Sequence, residues 1–255
     1  MNKKSKFKKL KIGLIFGFLL VFAIFVACGI YLADYYKADF QRIEEFCFSS
    51  ESSENQPFFK SVLDDGTIFY SPKENTKTGF IFYPGGKVEY NAYEPLLKLL
   101  SENGIACFLV KMPFNLAVFN INGAEKVINQ FPEIENWYIG GHSLGGSMAA
   151  SFLGKNQFDI KGLVLLASYS TVDFSNSDIK LLSIFGSNDG VLNMEKYAEN
   201  KSHFSKNAKE VVIEGGNHAG FGFYGPQKKD GKASISSINQ IEQTARLILE
   251  FIPTI

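Results

Sequence analysis

Gly141-His142-Ser143-Leu144-Gly145 brings together residue types suited to nucleophilic acyl chemistry. The pattern is G-x-S-x-G, and its flanks say how the serine would be presented. Apolar Trp137, Tyr138 and Ile139 lead in, and the helix-forming run 147–153, with Met148, Ala149 and Ala150, leads out. This predicts a strand, a sharp turn and a helix. Such a turn lifts the hydroxyl clear of the strand end and over the helix N-terminus, where N–H groups stabilise developing negative charge.

A serine hydroxyl is a weak nucleophile until a base within hydrogen-bond reach takes its proton, and that base must be oriented by a carboxylate. Asp189 lies in Ser187-Asn188-Asp189-Gly190, directly after the apolar run 182–186. His218 lies in Glu214-Gly215-Gly216-Asn217-His218, directly after Val211-Val212-Ile213. Each has a plainer reading when taken alone: a turn former for Asp189, a surface-loop histidine for His218. Together with Ser143 they fall in the order Ser, Asp, His, each behind a predicted strand. His142 reads as structural, since a neighbour at such a turn points away from the nucleophile. His203 falls in a polar helix and reads as solvent-facing. Asp64, Asp65 and Asp173 are alternative carboxylates, none directly after a core strand. An oxyanion hole needs two donors. Leu144 supplies one N–H, and the loop Pro84-Gly85-Gly86-Lys87 supplies the other, at Gly86 with Lys87 next.

These residues require a sheet to hold them. Apolar runs at 67–70, 79–83, 105–111, 136–140, 162–167, 181–186 and 210–214 read as strands. Patterns at about 90–103, 117–130, 144–155, 192–205 and 235–251 read as helices. The alternation predicts an α/β fold, with a mostly parallel sheet and helices on both faces. Leu163-Val164-Leu165-Leu166 suits a strand buried on both sides.

As a set, Phe82-Tyr83-Pro84-Gly85-Gly86, Lys111-Met112-Pro113, Gly141 to Gly146, Gly186 to Gly190 and Gly215 to Phe221 resemble the α/β-hydrolase superfamily. The resemblance is in particular to its small "alpha/beta hydrolase fold-5" and dienelactone-hydrolase-like members. It covers about residues 62–254. It implies the fold, the Ser143, Asp189 and His218 roles, and esterase-type activity with no metal or organic cofactor. Dienelactone hydrolases proper use cysteine where this chain has Ser143, which argues against that particular substrate. Only residues 168–178 occupy the place where many relatives insert a lid, too few for a helical cap. Phe114, Asn115 and the stretch Phe221-Gly222-Phe223-Tyr224 either line a substrate pocket or, for the latter, pack the core beside His218.

The 255 residues are 45% hydrophobic, enough for one sizeable domain plus an appendage. Net charge is zero, and nothing points to a nucleic-acid partner. Three cysteines (Cys28, Cys47, Cys107) make no disulfide framework, and none is spaced with a histidine as in a zinc site. Lys3, Lys4, Lys6, Lys8, Lys9 and Lys11 crowd the N-terminus, and residues 12–33 carry no charge. As a helix those residues extend roughly 33 Å, enough to cross a bilayer core. A cleaved signal peptide has a shorter apolar core. A lipoprotein would use Cys28, but Phe25 fits that site poorly and the run continues past it. An uncleaved signal anchor accounts for the whole segment. The expected organisation is a basic cytoplasmic segment 1–11, a membrane span 12–33, a polar connector 34–60 and a catalytic domain 61–255 outside the cytoplasm. A chain starting near residue 40 is then expected to be a soluble, fully active enzyme. The function expected is hydrolysis of a small-molecule or lipid-like carboxylic ester through an acyl-enzyme. An envelope acyltransferase with the same three residues, or a catalytically silent binding module, are the alternatives.

Overall fold

The computed structural model describes residues 3–48 and 57–253, with side chains from Leu14 onward. The N-terminal lysine side chains and the polar patch 49–55, expected to be a loop, lie outside the described residues. The chain divides into two units, 1–35 and 36–255. The first is one helix, α1 (Lys3–Ala33). Within it Leu14–Ala33 is long and apolar enough to cross a membrane, with mean hydropathy 2.7.

The second unit is built on eight strands: β1 (Phe58–Val62), β2 (Ile68–Pro72), β3 (Thr78–Tyr83), β4 (Ala106–Leu109), β5 (Asn136–His142), β6 (Ile160–Leu166), β7 (Lys180–Gly186) and β8 (Lys209–Ile213). They form one sheet in the order β1-β2-β4-β3-β5-β6-β7-β8. β1 and β2 pair antiparallel, as do β2 and β4, and the remaining pairings are parallel. The helices are α2 (Phe40–Phe48), α3 (Glu94–Glu102), α4 (Gly123–Gln130), α5 (Leu144–Lys155), α6 (Met194–Asn200) and α7 (Ser237–Phe251). This is the α/β-hydrolase fold that the motif set implies.

Side chains alternate across a strand, so a strand covered on both sides must be apolar throughout. β3 does this. Phe80 and Phe82 join the core shared with α2, α3 and α7, while Ile81 and Tyr83 join the core shared with α4, α5 and α6. The seven expected strands all form, with ends shifted by a few residues. The segment between β6 and β7 contains no helix, so no helical lid is inserted there.

The polar connector expected over 34–60 is not one. α2 buries Ile43 and Cys47 against the core, and β1 extends the sheet. Arg42, Glu44 and Glu45 hide an i, i+3, i+4 apolar stripe at Ile43, Phe46 and Cys47. β1, at the sheet edge, buries only Phe58 and leaves Phe59 and Val62 exposed, so its sequence shows no alternation of buried and exposed positions. Its register is held by Glu94 on α3, a buried carboxylate. Glu94 accepts from Tyr70 Oη (2.5 Å) and Asn91 Nδ2 (2.7 Å) and is ion-paired with Lys60 of β1.

The junction at residue 36 also matters. Tyr36 N–H donates to Lys87 O (2.8 Å), and Glu89 N–H donates to Tyr36 O (2.9 Å). Ala38 N–H donates to Glu89 Oε2 (2.9 Å), and Asp39 N–H to Phe223 O (2.8 Å). A chain starting at residue 40 loses all four bonds, a cost in stability that is separate from the soluble, active piece expected of such a cut. At about 0.5–1.5 kcal/mol each, the loss should be roughly 2–6 kcal/mol, read as a lower urea midpoint at unchanged slope. A chain starting at Tyr35 should keep the midpoint and the activity of the intact unit.

Candidate active site

Ser143 joins β5 to α5 with φ 51° and ψ −122°, backbone that a side chain rarely adopts. The glycines around it serve close approach. A Cβ on Gly145 would lie 2.2 Å from Tyr83 O, and one on Gly141 would lie 2.6 Å from the Gly145 carbonyl carbon. The bend is pinned by Ser143 N–H to Leu166 O (2.9 Å) and by Ser168 Oγ–H to Ser143 O (2.7 Å).

Asp189 and His218 are brought together. Asp189 Oδ2 accepts from His218 Nδ1 at 2.9 Å, and both side chains are 1% exposed. Asp189 Oδ1 accepts from the N–H groups of Val191 (2.8 Å) and Leu192 (2.7 Å), which fixes the carboxylate plane. With Nδ1–H given to Asp189, Nε2 is the basic nitrogen. Among the described residues it has no hydrogen-bond partner. Ser143 and His218 line one cleft of about 250 Å³. The alternative carboxylates Asp64, Asp65 and Asp173 are exposed, Asp65 and Asp173 each capping a local turn.

The oxyanion candidates also meet. A Cβ on Gly86 would lie 2.9 Å from Leu144 Cδ2. Among the described residues neither the Gly86 nor the Leu144 N–H has a protein acceptor. Lys87, the second choice, instead spends its N–H on Asn115 O (2.7 Å). The Gly85 N–H donates to Tyr93 Oη (3.1 Å), whose hydroxyl lies 2.8 Å from His142 Nδ1. His142 is structural, as expected, but it does not point into empty core. Through Tyr93 it ties β5 to the loop at Gly85, and its ring centroid lies 4.5 Å from that of His218. Burial first, and then the neighbouring His218, hold the His142 imidazole far below the usual histidine range, so it stays neutral.

Several expectations need correction. Phe221 is buried in the core against His142, the second of the two placements expected for it, and is not part of the cleft lining at Ser143. Phe114 and Asn115 lie outside the cleft lining. Phe114 projects into solvent, and Asn115 holds Lys87 through its carbonyl. His203 is half-buried rather than solvent-facing, its Nδ1 3.3 Å from Ser170 O.

The cleft is lined instead by Leu144, Ala167, Tyr169, Val191, Leu192 and Asn193 with Ser147 and Ser168. Asp230, which no sequence signal marks, clamps both loops. It accepts from Gly190 N–H (3.1 Å), His218 N–H (3.2 Å) and Ala219 N–H (2.8 Å). Gln240 of α7 holds the same loop through both backbone groups of Asn217.

The sequence matches the alpha/beta hydrolase family over residues 79–242, from β3 into α7. The chain belongs to that family and is an enzyme of the serine-hydrolase type. Among solved structures it is similar to Est1E from Butyrivibrio proteoclasticus, with 16% identity, TM-score 0.53, and coverage of 76% of this chain and 97% of that one. It is also similar to carboxyl esterase 2 from the mycorrhizal fungus Tuber melanosporum, with 13% identity, TM-score 0.56, and coverage of 82% and 94%. At these identities the likeness is one of fold. No curated protein matches the chain by sequence.

Proposed function

We propose that this chain is a membrane-anchored carboxylic-ester hydrolase that works through an acyl-enzyme on Ser143. The observation that carries the reading is the buried Asp189–His218 bond, which leaves Nε2 free in the cleft that Ser143 also lines. Ser143 Oγ attacks the ester carbonyl carbon while its proton passes to His218 Nε2. The carbonyl oxygen becomes an oxyanion and accepts from the N–H groups of Gly86 and Leu144. As the tetrahedral intermediate collapses, the C–O bond to the alcohol breaks and His218 returns the proton to the departing oxygen. Water then attacks the acyl-enzyme by the same route, with His218 taking its proton and Ser143 regaining one. Esters are favoured over amides because an alkoxide leaves more readily than an amine anion, and because a structure similar in fold is a carboxyl esterase. Covalent labelling by a fluorophosphonate, followed by an ester panel of graded chain length, tests the reading.

The anchor is the second half of the proposal, supported by the uncharged run that ends at Ala33. The intact protein should remain in the membrane through high salt and alkaline carbonate, and its catalytic unit should be cut by protease added outside intact cells. Mass spectrometry should find residues 1–27 attached and Cys28 without diacylglycerol. A mature chain starting at Cys28 or later overturns the anchor and leaves the chemistry untouched.

A further inference from the structure

Lys87 occupies a position that links three features. One residue before it is Gly86, the proposed oxyanion donor. Its carbonyl accepts from Tyr36 N–H at 2.8 Å, and its N–H donates to Asn115 O at 2.7 Å. Tyr36 is three residues beyond Ala33, where the apolar span ends, and three residues of chain reach no more than about 11 Å. The rim of the cleft is therefore tethered within a short stretch of chain to the end of the span.

The loop that Asn115 belongs to, outside the cleft lining but bonded to Lys87, forms an apolar rim beside it. Phe114, Val118 and Phe119 are 59%, 44% and 57% exposed, and the rings of Phe114 and Phe119 meet edge to face at 5.7 Å. The loop bearing them lies at the C-terminal edge of the sheet, where Tyr83 Oη at the end of β3 donates to Ile121 O (2.6 Å). Its turn at Ala117–Phe119 packs against α5, the helix that starts beside Ser143. Phe114 and Asn115 are both held at φ 55°. Left-handed backbone at a bulky residue such as Phe114 is strained, and here it carries an exposed ring.

We propose that this rim seats in the bilayer that carries the span, and that Ser143 takes its acyl group from an amphiphile lying in that bilayer. The substrate class is an acyl ester of a membrane lipid. This inference rests on the ester-hydrolase and anchor readings above. The cleft supports it, since about 250 Å³ is less than the 300–1,000 Å³ of pockets that enclose drug-sized ligands. A long acyl chain cannot be taken in whole, so its remainder lies across the rim, where Phe114, Val118 and Phe119 meet lipid. Burying exposed aromatic and aliphatic side chains at an interface adds to membrane affinity in proportion to area.

The test uses the full-length protein in phosphatidylcholine vesicles. Tryptophan emission from Phe119→Trp, after subtraction of the parental signal from the buried Trp137, should be quenched by lipid brominated along its acyl chain. Val118→Ser/Phe119→Ser should hydrolyse a long-chain acyl ester presented in the vesicles about tenfold more slowly, while turnover of a soluble short-chain ester stays within about twofold. Absent quenching, or an equal effect on the two substrates, overturns the proposal. Emission that shifts with protein concentration and ignores bromine identifies a second copy of the chain as the occupant and also overturns it. If the parent labels with fluorophosphonate but docking fails, only this inference is lost. If the parent neither labels nor turns over any ester, the hydrolase reading fails and the lipid substrate with it, while bromine quenching still reports whether the rim is seated.

Discussion

Ser143→Ala should abolish fluorophosphonate labelling and lower ester turnover by about 10⁴–10⁶-fold, the loss seen when the nucleophile of such a unit is removed. The residual rate over water would come from the N–H groups of Gly86 and Leu144 and from binding, which the substitution leaves in place. Stability should hardly change, since alanine keeps the Cβ and the half-buried hydroxyl makes no hydrogen bond within the described residues. Ser143→Gly sharpens the argument. With φ at 51°, relief of a strain of about 1–3 kcal/mol should outweigh the roughly 0.5–1 kcal/mol of extra unfolded-state entropy that glycine brings. The glycine variant should be equally inactive and melt at a higher temperature than the parent. A serine present only to make a turn would not show activity and stability moving in opposite directions. Full labelling of either variant overturns the nucleophile.

The fold was legible wherever a strand is buried on both faces, because such strands must be continuously apolar. β3, β5 and β6 announce themselves that way, and Gly86 and Ser143 follow the first two directly. Legibility failed where burial is one-sided. α2 shows the core only Ile43, Cys47 and part of Phe46, and β1 shows it only Phe58. With so few buried positions, neither shows the pattern of a core element, and both read as linker. Within the site, Gly141 and Gly145 could be found because backbone contact leaves no room for a side chain, and Gly86 because it faces the Leu144 side chain, requirements that show directly in the residue type. Asp230 could not be found. Its role depends on a loop returning to within hydrogen-bond distance of the Asp189 and His218 turns, and nothing local encodes that return. Phe221 stayed ambiguous for a related reason: an aromatic residue beside a site reads the same whether it faces the ligand or supports the loop from behind. The Tyr93–His142 link was likewise invisible, since it joins residues 49 apart.

His218→Ala should cost about 10³–10⁵-fold in turnover, and Asp189→Asn about 10²–10⁴-fold, with the serine still in place in both. The result for Asp189→Asn follows from the geometry. The introduced amide can still accept from Val191 and Leu192 through its oxygen, so the turn survives. Its nitrogen then faces His218 Nδ1 and donates to it. That moves the imidazole proton to Nε2, the atom that must be bare to take the proton of Ser143. Only an imidazole with a bare Nε2 can act as the base. His142, whose ring lies 4.5 Å from that of His218, does not compete for the role, because burial keeps it neutral and its Nδ1 lies 2.8 Å from Tyr93 Oη. Normal activity in Asp189→Asn would pass the orienting role to another carboxylate. Asp230 is then the one to replace, because its oxygens already reach the His218 and Ala219 N–H groups, whereas Asp173 is exposed and bound to its own turn.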